Sequence, residues 1–198
     1  ADTDGYYKLA TPQNLKDYLG YSDQSTLKFK LSDNITLDSV ANQGLYIPYV
    51  SGLFNPNGKA ITNLTLSQYT SNLGFIGYIN GRGDSSAQAL NSWTLSNASV
   101  VGKLNVGSAV GASYLRGITN ITVSGTVTGS DISYVGDPGD NIYGSDSNWG
   151  KSNVGGVVGF INATSNSRNL IDSAVSSIVV SGGSDVGGIL SLIHLSEP

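Results

Sequence analysis

Asn153-Val154-Gly155-Gly156-Val157-Val158-Gly159-Phe160 is the stretch on which the fold turns, because the chain writes it four times. The other copies are Asn72-Leu73-Gly74-Phe75-Ile76-Gly77-Tyr78, Asn105-Val106-Gly107-Ser108-Ala109-Val110-Gly111 and Asp185-Val186-Gly187-Gly188-Ile189-Leu190. Their first residues, 72, 105, 153 and 185, are spaced 33, 48 and 32 apart, a range of periods typical of stacked repeats. The long middle interval reads as one ordinary repeat carrying an insertion at about 131–151. A weaker idiom precedes each copy: Ile61-Thr62-Asn63-Leu64, Leu95-Ser96-Asn97-Ala98, Ile118-Thr119-Asn120-Ile121 and Leu170-Ile171-Asp172-Ser173. In stacked coils of strand, small apolar side chains fill a narrow core and glycines sit where the backbone bends or is closely approached. Asparagines at one point of successive coils can join their amides into a ladder. The expected fold is therefore all-β, a right-handed parallel β-helix, with a flatter β-sandwich or β-roll as the alternative.

Outward from the repeats, the preceding chain has its own organisation. Leu27, Phe29 and Leu31 alternate with lysines, Ile35 and Leu37 flank Thr36, and Ile61-Thr62-Asn63-Leu64-Thr65-Leu66 follows a turn at Asn55-Pro56-Asn57-Gly58. This period of two predicts short strands. Thr11 to Leu19 reads instead as a helix, with Thr11 as N-cap, Pro12 at the first position, and Leu15, Tyr18 and Leu19 on one face. Such a lone helix is expected to cap an open sheet end. The chain divides into a leader and cap over 1–66, Gly-rich repeats over 67–190 with the insertion, and an atypical tail over 191–198. That tail, Ser191 to Pro198, breaks the repeat and reads as a cloning or assembly scar.

Composition excludes several classes of function. Among 198 residues there are 26 Gly, no Cys, no Met and one His, with a net charge of −4. Cysteine-based metal sites, disulfides and thiolate nucleophiles are excluded, and so is a multi-histidine metal centre. The thin scatter of ten Lys+Arg speaks against nucleic acid as a partner. No apolar run reaches the ~18 residues of a membrane span.

The repeats resemble the GLUG motif of bacterial secreted and surface proteins. Val154-Gly155-Gly156-Val157-Val158-Gly159-Phe160 matches it closely, Gly74-Phe75-Ile76-Gly77-Tyr78 matches well, and Gly107-Ser108-Ala109-Val110-Gly111 departs by its Ser. The leader also resembles the one that precedes such repeats, through Tyr7-Lys8-Leu9-Ala10-Thr11-Pro12-Gln13-Asn14-Leu15, Phe29 to Leu37 and Gly52 to Leu64. The relatives include exoproteins similar to filamentous haemagglutinin and the non-catalytic regions of immunoglobulin-cleaving metallopeptidases. The resemblance implies an exported cell-surface segment with no catalytic residues, no cofactor and no metal. Its implied role is a structural or adhesive scaffold, with a surface protein or glycan of a host or neighbouring cell as partner and further repeats of the parent chain beside it.

Two loops carry the candidate ligand-binding residues. Arg82, Gly83 and Asp84 form the Arg-Gly-Asp tripeptide of integrin ligands, set in a polar Gly-, Asp- and Ser-rich segment whose plainer reading is a solvated turn. The insertion holds Tyr143 and Trp149, aromatic rings able to stack on a sugar, among acids and asparagines whose spacing fits no calcium loop. The alternative reading as a carbohydrate-active β-helical enzyme needs carboxylates clustered with a base. The acids here stand apart in turns. A second alternative is an accessory region of a secreted metallopeptidase.

Overall fold

Alternating apolar positions become strands, and every strand pairing among the described residues is parallel. The computed structural model describes residues 1–80, 90–114, 118–131, 151–164, 171–172 and 175–196. Among these residues the only helical elements are the helix Pro12–Tyr18 and a short 3-10 turn at Val40–Asn42, and the rest of the regular structure is strand. Four sheets result, and each repeat supplies strands to three of them.

The first of these is the Asn-Val-Gly sheet, ordered Asp185–Gly187, Asn153–Gly155, Asn105–Gly107, Asn72–Leu73. Here Asn72, Asn105, Asn153 and Asp185 share one row, and Leu73, Val106, Val154 and Val186 the next. The insertion leaves no mark on this register: Asn105 pairs directly with Asn153 across 48 residues of chain. A second, five-stranded sheet stacks Ile47–Val50, Ile76–Asn80, Val110–Tyr114, Val158–Thr164 and Leu190–Ser196. The backbone of Leu190–Ser196, whose residues from Ser191 onward belong to the tail that the sequence reads as a scar, thus runs on as a strand in register with Val158–Thr164.

The third, long sheet is built around Leu90–Lys103 and Ile118–Ser130. The sequence predicts short strands, yet these run for 14 and 13 residues. The reason is conformational. Ser92 and Asn97 in one strand, and Asn120 and Gly125 in the other, take positive φ, so the chain bends while neighbouring strands bend at matching places and the ladder continues. Asn63, at φ 62°, makes the same bend between Ala60–Thr62 and Thr65–Ser67, both of which pair with Leu90–Lys103. The rows also correct the alignment of the weaker idiom. Ile118 pairs with Leu90 and Ile171, whereas Leu95 pairs with Ile61 and Val123.

Packing between the sheets depends on glycine. Gly102 and Gly129 pair across the long sheet. A β-carbon on Gly102 would meet the Leu73 and Val106 side chains, and one on Gly129 would meet Val154. The valine row of the Asn-Val-Gly sheet therefore seats against a glycine row. Leu73, Val106 and Val154 are fully buried there, while Val186, in the last described repeat, is 47% exposed.

The opposite end of the stack is closed by the leader. Tyr7–Leu9, Lys28–Leu31 and Leu53–Asn55 form a three-stranded sheet on which the helix Pro12–Tyr18 lies. Thr11 Oγ1 caps that helix by accepting from the Asn14 N–H at 3.2 Å, as its sequence predicts. Buried Tyr18 packs 4.3 Å from the Phe29 ring. From there aromatic contacts pass through Phe54 to Phe75 and Trp93 of the repeats, at centroid distances of 5.5–6.3 Å. These edge and offset contacts join cap and repeats in one core.

Candidate functional site: loop junctions and a leader cleft

Three strands of the five-stranded sheet, Ile76–Asn80, Val110–Tyr114 and Val158–Thr164, hand the chain on to the long sheet, across junctions of different lengths: 81–89, 115–117 and 165–170. Arg82, Gly83 and Asp84 fall in the first. Tyr143 and Trp149 fall in 132–150, between Ile118–Ser130 and Asn153–Gly155. All five residues lie outside the described residues. The strands that flank them belong to two different junctions of the repeat.

The feet of both loops are well defined. Before the Arg-Gly-Asp segment, Asn80 Nδ2 donates to the Tyr49 hydroxyl at 2.9 Å, and Tyr49 and Tyr78 stack nearly parallel with centroids 5.8 Å apart. The insertion is closed at its neck by Asp131. Its Oδ1 accepts from the Ser152 N–H at 2.7 Å and the Ser152 hydroxyl at 2.8 Å, and its Oδ2 accepts from the Ser184 hydroxyl at 2.8 Å. The Ser152 hydroxyl in turn accepts from the backbone N–H groups of Gly183 and Ser184. Hydrogen bonds to the ionised form, led by the Ser152 N–H, hold the Asp131 carboxyl below its usual pKa. Ser152 is fully buried, so this serine and carboxylate act as a clamp across two repeats. None of the motifs above contains this clamp; its one signal in the sequence is the serine that precedes the Asn or Asp at 71, 152 and 184 but not at 104.

A ladder of amides runs alongside. Asn105 Nδ2 donates to Asn72 Oδ1 at 2.7 Å, and Asn153 Nδ2 donates to Asn105 Oδ1 at 2.6 Å, as the repeated asparagine predicts. Among the described residues no group of three or more His, Cys, Asp or Glu is arranged to hold a metal ion, and no helix is long and apolar enough to cross a membrane.

A cleft of about 350 Å3 opens at the leader end. Its floor is Tyr18, Leu27 and Phe29, its walls include Tyr7 and Tyr21, and Lys8, Asn14 and Asp17 supply its polar lining. Its signal in the sequence is the run of tyrosines at 7, 18 and 21, which only the packing of helix on strand brings together.

Fold and site together define a parallel, all-β repeat protein with an aromatic cap. No family model matches the chain, and no curated protein matches it. Among solved structures, it is similar to a crystal structure from Bacteroides ovatus whose name proposes an immunoglobulin A1 protease, with a TM-score of 0.59 and 16% identity. The match covers 99% of this chain and 64% of that one, so the chain spans about two thirds of that protein's length. At this identity the likeness is one of fold.

Proposed function

We propose that the chain is a non-catalytic, GLUG-like segment of a secreted bacterial surface protein, a scaffold that carries adhesive loops. The observation behind this reading is the in-register stack: the row Asn72, Asn105, Asn153, Asp185 holds its register while the connection leading into it varies from one residue, Leu104, to the twenty-two of 131–152. A constant frame with variable loops is how repeat proteins present binding surfaces. Parallel pairing throughout favours a β-helix over a β-sandwich, whose sheets are antiparallel. Right-handed winding follows the usual hand of parallel crossovers. Arg82, Gly83, Asp84, Tyr143 and Trp149 are the loop residues we assign to ligand contact, with a cell-surface protein or glycan as ligand. Adhesion of the purified chain to cells and to immobilised glycans tests the reading. Saturable adhesion that falls on replacing Asp84 by Glu, or Tyr143 and Trp149 by Ala, is expected; adhesion to no surface would leave a purely structural role.

A second reading, an accessory region of a secreted peptidase, is favoured by the name of the structural neighbour and by the chain's spanning only 64% of it. A zinc-binding motif in the same reading frame beyond this segment would favour the second reading.

A further inference from the structure

We propose that the leader cleft is a saccharide site that takes one neutral pyranose unit, alone or at the end of a glycan. The proposal goes beyond the adhesive reading above, because it places recognition in the cap and holds whether or not the loops bind anything.

Three observations carry it. The first is shape: about 350 Å3 lies at the small end of ligand pockets, a scale suited to a sugar ring and not to a folded partner. The second is the aromatic lining. Tyr7 and Tyr21 are 45% and 55% exposed, while Tyr18 and Phe29 beneath them are 2% and 6% exposed. Tyr7 is held against Phe29 at a centroid distance of 5.4 Å, so its orientation is fixed before any ligand arrives. Half-exposed rings on a buried aromatic floor suit the C–H face of a pyranose, and the tyrosine hydroxyls remain available as polar ends.

The third observation is the uncommitted polar chemistry. Asn14 Oδ1 is occupied by the Ala10 N–H at 3.2 Å, which leaves the Asn14 amide hydrogens for a ligand. Asp17 Oδ1 accepts from Gln13 Nε2 at 2.8 Å, leaving its second oxygen. Lys8 forms no ion pair among the described residues, where Lys30 alone does so, with Asp2 and Asp4. One carboxylate and one ammonium give a cleft with no net charge and with both donors and acceptors. That set matches the hydroxyls of a neutral sugar better than an anion, which Asp17 would repel, or a lipid, which the polar groups would not satisfy.

The test uses the whole chain. Calorimetric titration with free lactose, maltose, cellobiose and N-acetylglucosamine, beside sialyllactose as an acidic comparison, is expected to give saturable binding to a neutral sugar. Tyr21→Ala should weaken that binding by about tenfold or more, and Tyr21→Phe should keep it within about threefold. Because Tyr21 is exposed, both variants should melt with the parent. The same sugars on an immobilised array separate a glycan-end ligand, bound only when tethered, from a free sugar; Tyr21→Ala is expected to lower either. Binding to no neutral sugar in either format would overturn the proposal, as would preference for the acidic sugar or binding untouched by Tyr21→Ala. Array binding that ignores Tyr21 yet falls with Tyr143→Ala would sink the cleft site and leave the loop reading standing.

Discussion

Asn153 stands in register with Asp185, yet these two cannot form the bond that Asn153 forms with Asn105. Each amide in the row donates toward the N-terminal side, Asn153 to Asn105 and Asn105 to Asn72. An ionised carboxylate donates nothing, so Asp185 ends the chain of donors. Asp185→Asn is expected to lengthen the ladder by one bond and raise stability by about 0.5–1.5 kcal/mol. Asn105→Asp removes the donor to Asn72 from the middle of the row and should cost about 1–3 kcal/mol. Urea melts of the two variants check both signs.

The glycine pair of the motif has unequal duties in different repeats. A β-carbon on Gly156 would collide with the carbonyl of Gly188 in the following repeat, whereas one on Gly188 meets nothing within 4 Å. Gly156→Ala is therefore expected to destabilise by about 3 kcal/mol or more, since backbone must shift, and Gly188→Ala by less than about 0.5 kcal/mol. Thermal melts of the pair decide it. Equal effects would mean that the two repeats are not stacked at this point.

Ser113 interrupts an apolar row. It pairs with Ile79 and Ile161, is 1% exposed, and its hydroxyl makes no hydrogen bond among the described residues. A buried unsatisfied hydroxyl costs about 1–3 kcal/mol, and Ser113→Ala removes it without adding volume. The variant should gain about 1 kcal/mol in chemical denaturation, the opposite of the usual effect of trimming a core residue.

How much of this was legible in the sequence differs by element. The Asn-Val-Gly row was readable because the same few residues must meet the same backbone in every repeat, so Asn105 and Asn153 match despite the insertion. The Thr11 cap was readable because its physics is local. The long strands were not, since Asn97 and Asn120 look like the same corner in sequence. In space Asn97 aligns with Asn63, and Asn120 with Ser92. Two similar bends per strand make such a slip natural. Nor was the cleft readable, because Tyr7, Tyr18 and Tyr21 meet only through the packing of helix on strand.

Leu104 carries a backbone strain that its counterparts lack. It takes φ 58°, a region unfavourable to a leucine, at the position where the other repeats place Ser71, Ser152 and Ser184 without positive φ. Its carbonyl still accepts from the Asn153 N–H at 2.8 Å. Leu104→Asn keeps that bond and relieves the conformation, with an expected gain of about 0.5–1 kcal/mol. Denaturant midpoints of the parent and variant measure it.

Acid should loosen the neck of the insertion before it disturbs the apolar core. The Asp131 carboxyl has its pKa lowered by the Ser152 N–H, then by the Ser152 and Ser184 hydroxyls. In the unfolded chain it titrates near the ordinary value of about 3.9. Below that value the unfolded state binds a proton that the folded state resists, so stability rises with pH in this range. The contribution is complete above the unfolded value and is lost as pH falls through the lower, folded one. The Asp2 carboxyl, held near pKa about 2 chiefly by its bond to Lys30, acts with the same sign at the leader end. Stability measured from pH 6 down to pH 2 should therefore decline most steeply below about pH 4. Asp131→Asn should flatten part of that decline, and Asp2→Asn another part, because the two clamps sit at opposite ends of the stack. Hydrogen exchange on Asp131→Asn at neutral pH should locate the loss: faster exchange at Ser152, Gly183 and Ser184, with the Val106 and Val154 amides unchanged. Uniformly faster exchange would show that the clamp supports the whole stack and not the neck alone.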